Sequence, residues 1–191
     1  MIAFKDNDKV YFAVPMPHYG CGTAEADYDY EDNAPIWHLD DSKGTIAMAT
    51  GGISRGSDIL RYSDALNCEE LNLEGVREVL KKIPGELEGT NCQIRDGCIG
   101  IGLCIARGNE MYEISKFGTT KRIADVEAYD TIRSAALVIW ERVKHISDVK
   151  KRVKEYYKLI QKESNSECFP VMLMSTGESG HDLIYNTGKN N

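Results

Sequence analysis

Residues 36–52, Ile-Trp-His-Leu-Asp-Asp-Ser-Lys-Gly-Thr-Ile-Ala-Met-Ala-Thr-Gly-Gly, decide how the chain is interpreted. The apolar run at 36–39 and the small apolar run at 44–49 predict two buried strands, because short runs bounded by polar and glycine residues are typical of strands. Asp40 and Asp41 form part of the polar connection between them. The glycine pair Gly51-Gly52 ends the second strand and marks a strand-to-helix turn.

Strands and helices alternate in groups on either side of this stretch. Strands are predicted at residues 2–5, 10–14, 98–106, 111–115, from 117 to near Val126, and in a closing hairpin at 171–174 and 183–185. Four helices are predicted: one after Ser57, one after Asn72, one from Ile132 to Ile146, and one after Ser147-Asp148. Separate groups of strands and helix pairs favour an α+β fold. We expect a single domain, residues 1–191, built as a four-layer α-β-β-α sandwich with two antiparallel sheets.

The charge of the chain is concentrated in one segment. The 191 residues carry 23 Lys and Arg against 30 Asp and Glu, a net charge of −7. Between Val10 and Ser42 there is no Lys or Arg, and seven carboxylates lie there. An acidic chain without a basic arm is a poor nucleic-acid binder. With neither an 18-residue apolar run nor a signal sequence, we expect no membrane association and a cytoplasmic location.

No metal or cofactor site is predicted. The six cysteines include no C-x-x-C pair, so free buried thiols are expected. The carboxylates at 25–32 have the oxygen ligands of a hard cation but lack a calcium-loop pattern, which favours a solvated acidic loop. The last predicted helix has a basic side that is expected to be solvated, formed by Lys150, Lys151, Arg152, Lys154, Lys158 and Lys162.

The order of elements, with Leu39-Asp40-Asp41, Gly44-Thr45-Ile46-Ala47, Gly51-Gly52 and Leu60-Arg61-Tyr62, resembles the proteasome β-subunit and HslV-type peptidases. These are N-terminal nucleophile hydrolases with a four-layer fold. The resemblance covers nearly the whole chain as a pattern of elements. It implies a catalytic threonine at the start of the mature chain, an acidic and a basic residue at the end of the second strand, a lysine, and an oxyanion glycine.

This sequence departs from that pattern at most catalytic positions. When residues 10–14 are laid on the second strand of the family, the nucleophile falls about two residues before Met1. The acidic and basic positions become Pro15 and Pro17, and the lysine position becomes Pro35. Gly51 matches the oxyanion glycine. Because the members of a catalytic unit fail together, we expect the usual chemistry of the family to be lost.

A remodelled site is the alternative. His18 and Cys21 are close in sequence, and a cysteine activated by a histidine is a nucleophile. His38 is expected to be a packed or edge histidine. The preferred hypothesis is a non-catalytic, self-assembling scaffold that binds an unidentified protein or peptide. The alternatives are an active threonine or cysteine peptidase or amidohydrolase, with this remodelled site or an upstream nucleophile, and a small-molecule or metal-binding module.

Overall fold

A computed structural model describes residues 1–16, 36–39, 43–51, 69–76, 102–115, 119–129 and 132–186. These residues form two antiparallel five-stranded sheets and two long helices, which confirms the α+β prediction. The predicted helix after Ser57, the start of the predicted strand at 98–106, and residues 17–35 lie outside the described part. Within that part, no helix has the length and apolar character needed to cross a membrane.

The first sheet has the strand order β10-β9-β2-β1-β8. Its strands are β1 (Ile2–Asp6), β2 (Lys9–Pro15), β8 (Val126–Ala128), β9 (Val171–Ser175) and β10 (Asp182–Ile184). The strands predicted at 2–5 and 10–14 are present as β1 and β2, which pair with each other, and the predicted closing hairpin β9–β10 is confirmed. β2 extends one residue beyond the predicted 10–14, since Pro15 is the last residue of the strand and lies opposite Val171. Proline is tolerated at the end of a strand, where one missing N–H costs little.

The second sheet has the order β3-β4-β5-β6-β7. Its strands are β3 (Ile36–His38), β4 (Ile46–Gly51), β5 (Gly102–Arg107), β6 (Glu110–Ile114) and β7 (Thr120–Arg122). The strands predicted at 36–39 and 44–49 are present as β3 and β4, and they pair with each other, with Trp37 opposite Ala47. The prediction of one strand reaching near Val126 is wrong. The strand ends at Arg122, and Val126 begins β8 in the other sheet.

The two helices are α1 (Arg133–Val143) and α2 (Val149–Ser164). Asp148 caps α2 as predicted, because its carboxylate accepts a hydrogen bond from the Lys151 N–H at 2.7 Å. The prediction that Arg152 lies on the solvated side is wrong. Its side chain is 6% exposed and its guanidinium lies 6.0 Å from the ring centre of Phe4 and 5.9 Å from that of Trp140.

Two apolar clusters define the layers. One lies between the sheets and combines first-sheet residues such as Phe12 and Met172 with second-sheet residues such as Met48 and Cys104. The other lies on the opposite face of the first sheet and joins it to α1 and α2. The described residues therefore contain three successive layers: the helix pair, the first sheet and the second sheet.

The outer face of the second sheet is also covered. Leu103 and Ile105 alternate along β5 with Cys104, so they point away from the first sheet, and both are fully buried. The second predicted helix begins where expected. The Asn72 side chain accepts hydrogen bonds from the N–H groups of Glu74 and Gly75, at 3.0 and 2.9 Å, as an N-cap does. Only the first turn of that helix falls within the described residues.

Candidate functional site

The topology brings Pro15 and Gly51 to the same end of the two sheets. The opposite end is fixed by two contacts between the sheets: the Gly177 N–H donates to the Gly44 carbonyl at 3.1 Å, and the Thr176 hydroxyl donates to the Gly108 carbonyl at 2.6 Å. β2 runs antiparallel to β9, and β4 runs away from Gly44. Both strands therefore end at the far edge, which is the candidate site.

The end of β2 is held by backbone and hydroxyl contacts. Pro15 is buried and contributes no ionisable group. The N–H of Met16 donates to the Pro170 carbonyl at 2.9 Å, and the Tyr157 hydroxyl of α2 donates to the Ala13 carbonyl at 2.7 Å. These contacts fix the strand end against the helix layer. They supply no general acid or base at this position.

The end of β4 contains an irregularity in the strand pairing. Ala49 lies opposite Leu103 and Gly51 lies opposite Gly102, so Thr50 is the additional residue of a bulge. Bulges bend a strand and turn a backbone group away from the regular ladder, and they are frequent beside functional sites. The placement of Gly51 is therefore compatible with a backbone donor, but two glycines opposite each other, Gly51 and Gly102, also have a structural use in close packing.

A tyrosine and a cysteine lie between the sheets. The N–H of Tyr129 donates to the Met1 carbonyl at 2.9 Å. The Tyr129 hydroxyl is buried beside the Cys104 thiol, and among the described residues no hydrogen bond of ordinary geometry satisfies it. Burial raises the pKa of Cys104 and also that of Tyr129. Both groups stay protonated at neutral pH, so Cys104 is not an activated nucleophile.

Most of the sequence-predicted site residues lie outside the described part of the chain. They are His18, Cys21, Pro17, Pro35 and the carboxylates at 25–32 and 40–41. His38 is described and lies at the opposite end from Pro15. Its Nε2 atom is 2.7 Å from the Gly180 carbonyl oxygen, on the edge strand β3. This contact gives His38 a structural role in holding the β9–β10 turn.

A polar cavity of about 250 Å³ lies beside the β9–β10 hairpin, away from Pro15. Its lining includes Tyr11, Ser175, Glu178, His181 and Asp182. Hydrogen bonds from Lys9 and Ser175 lower the pKa of Glu178, and Asp182 pairs with Lys150 at 2.8 Å. Both carboxylates that line the cavity, Glu178 and Asp182, are therefore already paired with lysine side chains. Across the described ranges, no three His, Cys, Asp or Glu side chains converge as metal ligands would.

No protein-family model matches the chain, and no curated protein matches it. Solved structures of similar fold include two of one bacterial protein. "Thiobacillus denitrificans BPH in complex with Epoxomicin" is similar with a TM-score of 0.67 and 14% identity, over 94% of this chain and 98% of that one. "Thiobacillus denitrificans BPH" is similar with a TM-score of 0.64 and 13% identity, over the same shares. At this identity the BPH structures show the fold alone.

Two structural features were not predicted from the sequence: the buried Tyr129 and the cavity at the β9–β10 hairpin. Tyr129 directly follows β8, a strand of three residues. The sequence pattern does not separate β8 from the strand before it, so nothing in the sequence marks Tyr129 as an inward-facing residue. The cavity at the hairpin was signalled only by the polar, glycine-containing run from 175 to 182, which was interpreted as a turn. Neither BPH structure adds a residue assignment, because the comparison concerns the fold.

Proposed function

We propose that this chain is a non-catalytic relative of the N-terminal nucleophile hydrolases that works as a cytoplasmic binding or self-assembling scaffold. The fold shared with the two BPH structures, across nearly the full length of both chains, supports a common architecture. The buried outer face of β5, with Leu103 and Ile105, supports a fourth layer formed by the helices predicted between residues 57 and 83.

The observation that carries the proposal is Pro15 at the end of β2. The resemblance places an acidic residue at this position, where it would act on the nucleophile. A proline there has no side-chain donor, acceptor or charge, and the described contacts around it are backbone hydrogen bonds and the Tyr157 hydroxyl. Pro17 and Pro35 replace the basic residue and the lysine in the sequence. A nucleophile without these partners would be poorly activated.

Gly51 is the one position that agrees with the catalytic pattern. Its retention is explained without catalysis by the bulge at Thr50 and by the glycine opposite it on β5. An oxyanion donor alone gives little turnover without a nucleophile and a base. The scaffold hypothesis therefore accounts for the glycine as well as for the prolines.

A labelling experiment tests the proposal against the active-hydrolase alternative. The protein is treated with a cysteine-directed and a hydroxyl-directed electrophile under native conditions, and labelling rates are compared with those of the unfolded chain. Scaffold function predicts no site labelled faster than in the unfolded chain. Rapid labelling that is lost in Cys21→Ala and reduced in His18→Ala would contradict it and support the remodelled site. The variant Cys168→Ala, which removes a buried thiol, is the matched control.

A ligand-binding module is the remaining alternative. It predicts a saturable rise in melting temperature with a divalent cation or small metabolite at constant ionic strength. The scaffold hypothesis predicts no such rise with Mg²⁺, Ca²⁺ or Zn²⁺. This measurement separates the two without reference to hydrolysis.

A further inference from the structure

Four lysines form a row along the outer face of α2. Their positions in the sequence are separated by three, four and four residues, so they are neighbours on the helix surface. The row, which we call the lysine stripe, consists of Lys151, Lys154, Lys158 and Lys162. The opposite face of α2 packs into the core through Val153, Tyr156 and Ile160. The lysine stripe therefore faces away from the body of the molecule.

The charge of the lysine stripe is largely uncompensated. Lys158 pairs with Glu155 at 2.7 Å, whereas the described residues form no ion pair with the other three lysines. Lys151 and Lys162 are exposed, and the other two are partly exposed. From the start of α1 to the end of α2 the chain has nine Lys and Arg and four Asp and Glu, a net charge of +5, whereas the whole chain has −7. This face of the molecule therefore attracts an anionic partner.

A polar groove of about 520 Å³ continues the lysine stripe at the C-terminal end of α2. Its lining combines two stripe lysines with amide and hydroxyl groups, from Lys158, Lys162, Gln161, Asn165, Ser166 and Asn186. Glu167 is the one carboxylate among the described residues of the lining. The Oε1 atom of Gln161 accepts a hydrogen bond from the Cys168 N–H at 3.4 Å, which leaves the Gln161 NH₂ group to donate. Amide side chains both donate and accept, so they match the N–H and C=O groups of a peptide backbone.

The surroundings of the lysine stripe favour an acidic peptide over a nucleic acid or a lipid surface. Nucleic-acid sites combine cations with exposed aromatic rings or with arginines that bind phosphate through two hydrogen bonds. In α2 the aromatic residues Tyr156 and Tyr157 and the single arginine, Arg152, are buried. A membrane-binding helix exposes large apolar side chains, whereas Val149 and Leu159 of α2 pack against the core. The net charge of −7 also repels a long polyanion, and a short acidic segment contacts only the basic face.

We propose that the lysine stripe and the adjoining groove bind an acidic peptide segment of a partner protein. An extended peptide places alternate side chains on one side, about 6.5–7 Å apart. Neighbouring stripe positions are about 5–6 Å apart, so flexible lysines reach carboxylates at alternate peptide positions. The peptide backbone continues into the groove, where the amide side chains receive it. This inference rests on the proposed binding function and names the chemistry of its partner.

Fluorescence anisotropy at low salt tests the lysine stripe. The probe is a fluorescein-labelled peptide of alternating glutamate and serine, eight residues long, and saturable binding to the wild type is expected. Lys151→Gln/Lys162→Gln should bind it about fivefold to tenfold more weakly, because two exposed ion pairs are lost. Arg142→Gln/Lys144→Gln removes the same charge from exposed residues outside the stripe and should bind as the wild type does. Circular dichroism melts check that every variant is folded.

A second variant tests the groove without changing its charge. Asn165→Gly/Asn186→Ala removes two amide side chains, and glycine keeps the left-handed φ of 53° that Asn165 adopts at the end of α2. Binding of the glutamate peptide should weaken about threefold through lost hydrogen bonds. Its dependence on salt should stay that of the wild type, whereas the loss of Lys151 and Lys162 should reduce that dependence.

The same assay supplies the results that would overturn the proposal. They are no saturable binding of the glutamate peptide, equal binding of a labelled peptide with glutamine in place of glutamate, equal or tighter binding of a labelled thymidine dodecamer, and binding that survives the loss of Lys151 and Lys162. Wild-type self-association in sedimentation velocity that is lost in the stripe variant would assign the stripe to a second copy and would also overturn it. Failure of the scaffold function itself is detected separately, by the electrophile labelling.

Discussion

Gly44 and Gly177 approach so closely that a Cβ atom on Gly44 would lie 2.6 Å from the Cα atom of Gly177. The two residues connect the sheets at the end opposite Pro15, through the Gly177 N–H and the Gly44 carbonyl. Gly44 also has a φ of +64°, which disfavours any side chain. The two sheets are therefore joined at this end by a close backbone contact between Gly44 and Gly177.

Replacing Gly44 by alanine is expected to destabilise the fold by about 2–4 kcal/mol, since left-handed strain and a backbone clash add. Urea denaturation measures the change. Gly108→Ala is the matched control: it has a φ of +56° but nothing within 4 Å of the added Cβ atom, so only the strain of about 1–2 kcal/mol is expected. Equal losses in the two variants would contradict the close contact.

Arg152 is expected to contribute to stability although it lies beside exposed lysines. Its Nε donates to the Ile146 carbonyl at 2.6 Å, and its guanidinium lies 3.4 Å from the Asp6 carboxylate. Arg152→Met leaves these acceptors without a donor and should cost about 2–4 kcal/mol in unfolding free energy. Lys151→Met, on the exposed neighbour, should change it by less than about 0.5 kcal/mol. Similar values for both variants would contradict the burial of Arg152.

Replacing tyrosine by phenylalanine is expected to have different effects on the unfolding free energy at Tyr129 and at Tyr157. Tyr129→Phe removes a buried hydroxyl that has no ordinary hydrogen bond among the described residues, so stability should be unchanged or rise by up to about 1 kcal/mol. Tyr157→Phe removes the donor to the Ala13 carbonyl and should cost about 1–2 kcal/mol. Thermal and urea unfolding of both variants check this. A large loss in Tyr129→Phe would reveal a partner for that hydroxyl.

The unfolding free energy is expected to depend on pH in the acid range through the carboxyl group of Glu127. Its side chain is 4% exposed, and burial alone would raise its pKa, but hydrogen bonds from Lys121 and Arg133 outweigh this and lower it. A carboxyl with a lowered folded pKa stabilises the fold above its unfolded pKa of about 4.3 and loses that contribution as the pH falls through the folded value.

Glu127→Gln should therefore lower the unfolding free energy by about 1–3 kcal/mol at pH 7 and reduce its decline below about pH 4.5. Glu163→Gln, at an exposed residue near the end of α2, is the control and should change the unfolding free energy at pH 7 by less than about 0.5 kcal/mol. A Glu127→Gln profile parallel to the wild type would show that this carboxyl does not titrate as described.

The fold could be predicted from periodicity where side chains alternate strongly between layers. In β5, Leu103 and Ile105 face one layer and Cys104 faces the other, as the alternation expected of a strand requires. Periodicity failed at Arg152, because a long side chain at the border of the apolar stripe can turn inward when aromatic rings and carbonyl oxygens receive it. It also failed between Arg122 and Val126, where the chain changes sheets over a few residues and no composition signal marks the crossing.

The candidate site was only partly accessible to sequence reasoning. Pro15 and Gly51 could be singled out by a resemblance, but the sequence does not show that they share one end of two sheets, because that depends on the long-range contacts of Gly44 and Thr176. The position of Tyr129 beside Cys104 is likewise long-range. The His18 and Cys21 hypothesis stays a prediction, since those residues lie outside the described part.

Intact-mass spectrometry after exposure to epoxomicin tests the central claim most directly. One BPH structure of the same fold is a complex with this compound. If Pro15 marks a site without catalytic function, the mass of the 191-residue chain should stay unchanged after prolonged incubation with excess epoxomicin, and its melting temperature should not change. A stoichiometric mass increase equal to one epoxomicin would contradict the account and identify an active N-terminal nucleophile hydrolase.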